Sequence, residues 1–126
     1  MPPAADDHQR LYHLCLRPAW QAAQKTGLHD GGRGTGPDGF IHLSTAEQVA
    51  ESAALHFAGV ADVVLLTVDG RAFGPELRWE ASRGGALFPH LCGDLPLDAV
   101  LAADPLPLGP DGRHIFPDSI AGTVGP

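Results

Sequence analysis

The chain is poor in cysteine, in basic residues and in long apolar runs, and each shortage excludes a class of protein. Its two cysteines, Cys15 and Cys92, are too few for a disulfide framework and too isolated for a zinc site built from cysteines alone. No apolar run approaches the ~20 residues that a membrane-spanning helix needs. The N-terminus is acidic and lacks the basic and apolar segments of a secretion signal. We therefore predict a cytoplasmic protein with reduced thiols and no membrane partner.

Basic residues are few compared with acidic residues. Eight lysines and arginines stand against 15 aspartates and glutamates, which gives a net charge of −7 with histidines neutral. Extended binding of DNA or RNA depends on neutralising many phosphates, so this balance argues against it. A small ligand held by a few local arginines remains compatible with the composition.

The chain does have enough apolar residues for one modest core. Hydrophobic residues make up 44 % of its 126 positions, which is normal for a globular domain. The 16 glycines and 12 prolines predict short elements joined by many turns. We expect a disordered N-terminus over 1–10, a single folded domain over 11–107 and a Pro/Gly-rich tail over 108–126 that is poorly ordered or wraps the surface. The glycine-rich stretch 29–39 is interpreted as a flexible loop.

Hydrophobic patterns predict an α+β fold with two main helices. Alternation in the first strand places Tyr12, Leu14 and Leu16 on the core face and His13 on the opposite face, towards solvent or a site. Pro89 predicts an edge strand or an irregular link for its segment. The remaining predicted elements are helices over 18–27 and 45–57, strands over 11–16, 63–68 (central), 77–80, 87–91 and 100–102, and a helical turn over 96–99.

Several signals of local structure fall within one short stretch of the sequence. Gly-Phe-Ile-His-Leu-Ser-Thr, over 39–45, joins a glycine turn, a short strand and a helix start. Ser44 and Glu47 have the spacing of a capping box. His42 is the polar residue of that strand, close to where unpaired N–H groups begin the helix, which makes it a candidate for chemistry. A histidine hydrogen-bonded in the core is the alternative interpretation.

Three histidines stand out by context, and they support competing hypotheses. His13, His42 and His90 could hold a catalytic zinc ion, although no pair has local ligand spacing. Nucleophilic catalysis by Ser44 or Cys92 with a histidine base is a second hypothesis, which the lack of a nucleophile elbow argues against. The third is a small-ligand cleft in which imidazoles and a hydroxyl bind sugar hydroxyls while arginines hold phosphates.

Two charged residues are further candidates because of their residue types. Arg78 and Glu80 lie on one strand face and fit either a cleft wall or a surface ion pair. Trp79, on the opposite face, is predicted to be core.

Several strings of the sequence resemble the small bacterial proteins of domain of unknown function 952. They cover about residues 10–107 in order. They are Leu-Tyr-His-Leu at 11–14, Gly-Phe-Ile-His-Leu-Ser-Thr at 39–45, Val-Val-Leu-Leu at 63–66, Leu-Arg-Trp-Glu at 77–80, Leu-Phe-Pro-His-Leu at 87–91 and Leu-Pro-Leu-Asp-Ala-Val at 95–100.

This resemblance implies an ADP-ribosyltransferase-like fold, a compact domain with a curved, split and mixed β-sheet around an NAD cleft. By resemblance, His13 matches the first-strand histidine that binds an NAD ribose hydroxyl, and His42 matches the position that flanks the nicotinamide. The candidate catalytic residues are then His13, His42, Glu80 and His90. The candidate cofactor-binding residues are His13, His42, Ser44, Thr45 and Arg78. The implied function is binding of NAD or a related nucleotide, with ADP-ribosyl transfer or NAD cleavage. A non-enzymatic nucleotide- or metabolite-binding module is the alternative.

Overall fold

The fold is arranged around its most apolar strand, which lies in the middle of a three-stranded antiparallel sheet. The structure is a computed structural model that describes residues 10–29, 41–82 and 86–117. The strands are β1 Arg10–Leu16, β2 Leu28–His29, β3 Ile41–His42, β4 Val63–Asp69, β5 Leu77–Ser82, β6 Ala86–Leu91, β7 Leu95–Pro96 and β8 Val100–Leu106. The helices are α1 Arg17–Thr26 and α2 Ala46–His56, with 3-10 turns at Gly70–Ala72 and Leu97–Ala99.

The described strands form three short sheets. Their orders are β1-β4-β8, β2-β7 and β3-β6-β5. Every pair among the described strands is antiparallel, so the expectation of a mixed sheet is wrong. Two backbone hydrogen bonds of 2.8 Å between Tyr12 and Ser44 connect the first sheet to the third. The α+β class with two helices is confirmed, and the sheet is divided as expected.

Strand β4 is central because both of its faces are covered. Val64, Leu66 and Val68 point into one apolar cluster, which contains Ile41 and Leu91 of the third sheet. Val63 and Leu65 point into another, which contains Val49 of α2. Burying each such side chain contributes about 1.5–3 kcal/mol to the free energy of folding. A continuous apolar run is the sequence pattern that such a two-sided environment requires.

Strand β1 is also covered on both faces, and this overturns the prediction that the core face is the one with Tyr12, Leu14 and Leu16. Leu11, His13 and Cys15 are all buried, whereas Leu16, assigned to the core, is 44 % exposed. The reason is that both faces of β1 are covered, one by each apolar cluster. His13 therefore faces protein interior instead of solvent.

Both helices begin close to where the sequence predicts, but the start of α2 differs in detail. Helix α1 ends at Gly27, whose φ of 85° is the left-handed conformation that glycine adopts at low cost. At α2 the N-cap is Thr45, and its N–H donates to Oε1 of Gln48 at 3.0 Å. The predicted box of Ser44 and Glu47 is off by one residue, because the backbone of Ser44 is already paired with Tyr12.

Two predictions for the third sheet are also wrong. Pro89 lies in β6, the middle strand, between β3 and β5. Its carbonyl accepts from the N–H of Leu43 at 3.0 Å. In an antiparallel strand the N–H and the carbonyl of one residue point to the same side of the strand. The N–H that Pro89 lacks would therefore point to the place where the two-residue β3 ends. Trp79, predicted to be core, is 45 % exposed.

The last described segment packs against the second apolar cluster. Phe116 contacts that cluster, and Nε2 of His114 lies 2.8 Å from the carbonyl of Val60. Predictions for 1–9, 30–40, 83–85 and 118–126 lie outside the described residues. Across the described part of the chain, neither helix has the length and apolar character needed to cross a membrane.

Candidate functional site

His13 lies in the middle of β1, and its ring is held by a hydrogen bond to the backbone of His42. Its Nδ1 atom is 2.8 Å from the carbonyl oxygen of His42, so the ring donates an N–H there and carries its lone pair on Nε2. That Nε2 atom is shielded from solvent, and no hydrogen-bond partner for it occurs within the described ranges. Burial, reinforced by the nearby His29 and His42, lowers the pKa of His13 to about 4. The imidazole is therefore neutral at physiological pH.

His42 and His90 form a pair across two neighbouring strands. They are directly opposite in the β3–β6 register, and their rings meet edge to face with centroids 5.0 Å apart. His42 is exposed, whereas His90 is buried. Nδ1 of His90 lies 2.9 Å from Oε1 of Glu80, which reaches it from β5. A carboxylate on Nδ1 orients an imidazole and supports its Nε2 as an acceptor, as in general-base catalysis.

A pair of hydroxyls lies beside these rings. Oγ of Ser44 is 3.1 Å from Oγ of Ser52 on α2, and both side chains are buried. Ser44 reaches this position because its backbone continues the strand instead of capping the helix. Ser52 was not predicted, although it lies three residues after Val49 on the buried face of α2.

These groups line one cleft of about 410 Å³, a size typical of small-molecule sites. Apolar and aromatic side chains contribute much of its wall. The lining residues are Tyr12, His13, Leu14, His42, Leu43, Ser44, Ser52, His56, Phe57, Phe88 and His90. The structure thus brings four of the predicted site residues together: His13, His42, Ser44 and His90.

The other three predicted site residues lie outside the lining. Thr45 serves as the N-cap of α2. Arg78 is exposed on β5, opposite His90 in the register. Glu80 contacts the cleft through His90. Of these three, Glu80 is the supporting layer of the cleft, because it contacts the wall through His90.

A second group of donor atoms converges behind the cleft. The ligand atoms of His13, Cys15 and His29 all lie within 4.8 Å of one another, and all three residues are buried. Burial raises the pKa of the Cys15 thiol to about 11. The sequence signals for this group were weak. Cys15 follows His13 at the i+2 spacing of one strand face. His29 was predicted to lie in a loop, but it forms β2 with Leu28. The predicted zinc ligands were a different set, His13, His42 and His90.

A model of the protein family described as "Protein of unknown function (DUF952)" matches residues 14–103. The chain belongs to the DUF952 family. The DUF952 chain is also similar to solved structures of protein CC0527 from Caulobacter crescentus. The crystal structure is 43 % identical, has a TM-score of 0.82, and the match covers 89 % of this chain and 98 % of that one.

A double mutant of the same protein, also solved by crystallography, gives the same values. The solution NMR structure of CC0527 is 42 % identical over 83 % of this chain and 90 % of that one, with a TM-score of 0.71. No curated protein matches the DUF952 chain. The DUF952 chain therefore shares its fold with these relatives, and neither their names nor the family's description gives an activity.

Proposed function

We propose that the histidine-lined cleft binds the nucleoside end of NAD or of a related nucleotide. The observation that carries this proposal is the meeting of His42, His90 and the Ser44–Ser52 hydroxyl pair in one cleft with aromatic walls. Imidazoles and hydroxyls are suited to ribose hydroxyls and to a carboxamide, and aromatic rings are suited to a planar base.

The same side chains also define which part of the ligand fits. None of the described lining residues is a lysine or an arginine, so the cleft offers no cation to a pyrophosphate. Arg78 is exposed and lies next to His90 in the register, which makes it the candidate for a phosphate at the rim. We therefore assign the nicotinamide riboside portion to the cleft and the pyrophosphate to its edge.

Within this proposal His13 acts through His42 instead of contacting the ligand. Its Nδ1 is committed to the His42 carbonyl, and its Nε2 is shielded. His13 therefore positions the backbone that carries the His42 ring. His42 would orient the ligand. The Nδ1 of His90 is held by Glu80 and its Nε2 is also shielded, so the Glu80–His90 pair would support the His42 ring that it contacts.

The proposal includes membership of the ADP-ribosyltransferase-like superfamily. It is supported by the division of the strands into short antiparallel sheets, with His13 in the first strand and His42 in a later one. The shielded Nε2 of His13 departs from the ribose-binding role that the resemblance implies. The corresponding activity is cleavage of the bond between nicotinamide and ribose, with or without transfer of ADP-ribose. Its transition state requires fixed ribose hydroxyls and a positioned leaving group more than a strong base.

A binding module without catalysis is the second candidate. It is favoured by the lining itself, because no carboxylate occurs among the described residues of the cleft wall. Glu80 supports His90 from behind. Such a module would bind the nucleotide and return it unchanged.

One experiment separates these outcomes. Calorimetric titration of the full chain with NAD, nicotinamide riboside and ADP-ribose is combined with chromatographic detection of nicotinamide. We expect NAD and nicotinamide riboside to bind, ADP-ribose to bind more weakly, and His42→Ala to abolish binding. His114→Gln is the matched control, because His114 is not among the residues that line the cleft and glutamine keeps a donor for the Val60 carbonyl.

Nicotinamide release would identify an enzyme, and binding without release would identify the module. Failure of wild-type protein to bind NAD or nicotinamide riboside at millimolar concentration would overturn both.

A further inference from the structure

We propose that His13, Cys15 and His29 are the ligands of a buried site for a divalent transition-metal ion, with zinc as the best fit. This site goes beyond the proposed nucleotide binding, and its evidence does not depend on it, although the two sites share His13. The evidence is the convergence of two imidazoles and one thiol from two separate strands.

The backbone brings these donors together for identifiable reasons. His13 and Cys15 are two residues apart on β1, and alternate residues of a strand point to the same side. His29 lies in β2, where it pairs with Leu95 of β7. The rings of His13 and His29 have their centroids 5.0 Å apart.

The distances are close to those of a metal site. With Zn–N of about 2.0 Å and Zn–S of about 2.3 Å, donor atoms around tetrahedral zinc lie roughly 3.3–3.6 Å apart. Here all donor atoms lie within 4.8 Å of one another. Closing the set requires movements of roughly 1 Å, which small side-chain rotations within a rotamer well can provide.

The hydrogen bonding of His13 has the form expected of a metal ligand. Metal-binding histidines usually donate their second ring N–H to a carbonyl or carboxylate, which fixes the tautomer. The Nδ1–H of His13 donates to the carbonyl of His42 and so leaves a lone pair on Nε2. This atom is buried and has no hydrogen-bond partner in the described part of the chain. A cation would satisfy it.

The donor types select the class of metal. Two imidazoles and a thiolate suit zinc and related soft or borderline ions, whereas calcium and magnesium require oxygen ligands. Binding forms a metal–sulfur bond and breaks the S–H bond of Cys15, whose proton leaves to solvent. Three protein ligands leave one tetrahedral position for water or another ligand.

Cobalt titration tests this site with a direct spectroscopic signature. The full chain is purified under reducing conditions, stripped with a chelator, and titrated with Co²⁺ and then with Zn²⁺. We expect about one cobalt per chain, a thiolate-to-cobalt charge-transfer band, and loss of that band when zinc displaces cobalt. His29→Asn is expected to weaken cobalt binding at least tenfold, whereas His114→Gln should leave it unchanged.

The two cysteines of the chain provide a matched pair of variants. Cys92→Ser leaves Cys15 as the remaining thiol and should keep the charge-transfer band, and Cys15→Ser should lose it. If Cys15→Ser does not fold, the spectrum of Cys92→Ser assigns the thiolate without it. The proposal is overturned by the absence of stoichiometric binding, by binding without a thiolate band, or by loss of the band in Cys92→Ser. None of these results depends on whether the chain binds NAD.

Discussion

The side chain of His13 holds the backbone of His42, since its Nδ1 atom lies 2.8 Å from the His42 carbonyl oxygen. These residues are 29 positions apart, and their bond joins the first strand to the strand that carries an exposed imidazole of the cleft. One histidine is thus a buried support and the other a surface group. Substitutions at the two positions should therefore have different consequences.

His13→Ala should destabilise the protein by about 2–4 kcal/mol, because it leaves a cavity and removes the hydrogen bond to the His42 carbonyl. His42→Ala removes an exposed ring and should cost less than about 1 kcal/mol. Urea unfolding followed by circular dichroism measures both free energies of unfolding. Equal losses for the two variants would contradict this assignment.

The stability of the metal-free protein should fall as the pH drops from about 6.5 to about 4. His13 has its pKa lowered to about 4 in the folded chain, mainly by burial, against an ordinary value of 6.5. Between these values the unfolded chain binds a proton that the folded chain does not, so acid favours unfolding, by up to about 3 kcal/mol. Urea midpoints measured in chelator across this range test the slope.

The variant His13→Asn serves as the control for that titration. It should show a flatter pH dependence than the wild type, because asparagine does not titrate. A wild-type stability that rises on acidification would count against a neutral, buried His13.

The start of α2 offers a test of which residue caps the helix. Gln48 accepts from the N–H of Thr45 at 3.0 Å, and its Nε2 donates to the carbonyl of Leu87 at 2.8 Å. Gln48→Ala should cost about 1–2 kcal/mol in the free energy of unfolding. Glu47→Ala, at the exposed neighbouring position, should cost about 0.5 kcal/mol or less. The reverse order would restore the capping box that the sequence pattern suggested.

Glu80 should fix the tautomer of His90. A carboxylate 2.9 Å from Nδ1 favours the N–H on that atom. Long-range proton–nitrogen NMR at alkaline pH should therefore show the Nδ1–H tautomer in wild type and a shift towards Nε2–H in Glu80→Ala. Glu76→Ala, an exposed glutamate on the approach to β5, is the matched control. An unchanged tautomer in Glu80→Ala would remove Glu80 from the supporting layer of the cleft.

Local patterns predicted the regular elements well. The run Val63 to Val68 indicates a buried central strand because two covered faces leave no place for polar residues. Pro18 and Gly27 mark the ends of α1 through fixed or left-handed backbone angles, which are properties of the residues themselves. Trp79 was misplaced because alternation indicates two faces but not which one is covered.

The sequence by itself determined the family, the α+β class, the central strand and the candidate histidines His13, His42 and His90, because these depend on residue type and on short spacings. Only the tertiary structure decided what each histidine contacts. Strand register placed His42 opposite His90. The packing of segments 29 residues apart placed the carbonyl of His42 on the ring of His13. Pairing of β2 with β7 brought His29 to His13 and Cys15. Such contacts depend on how distant segments pack, and local periodicity carries no information about that.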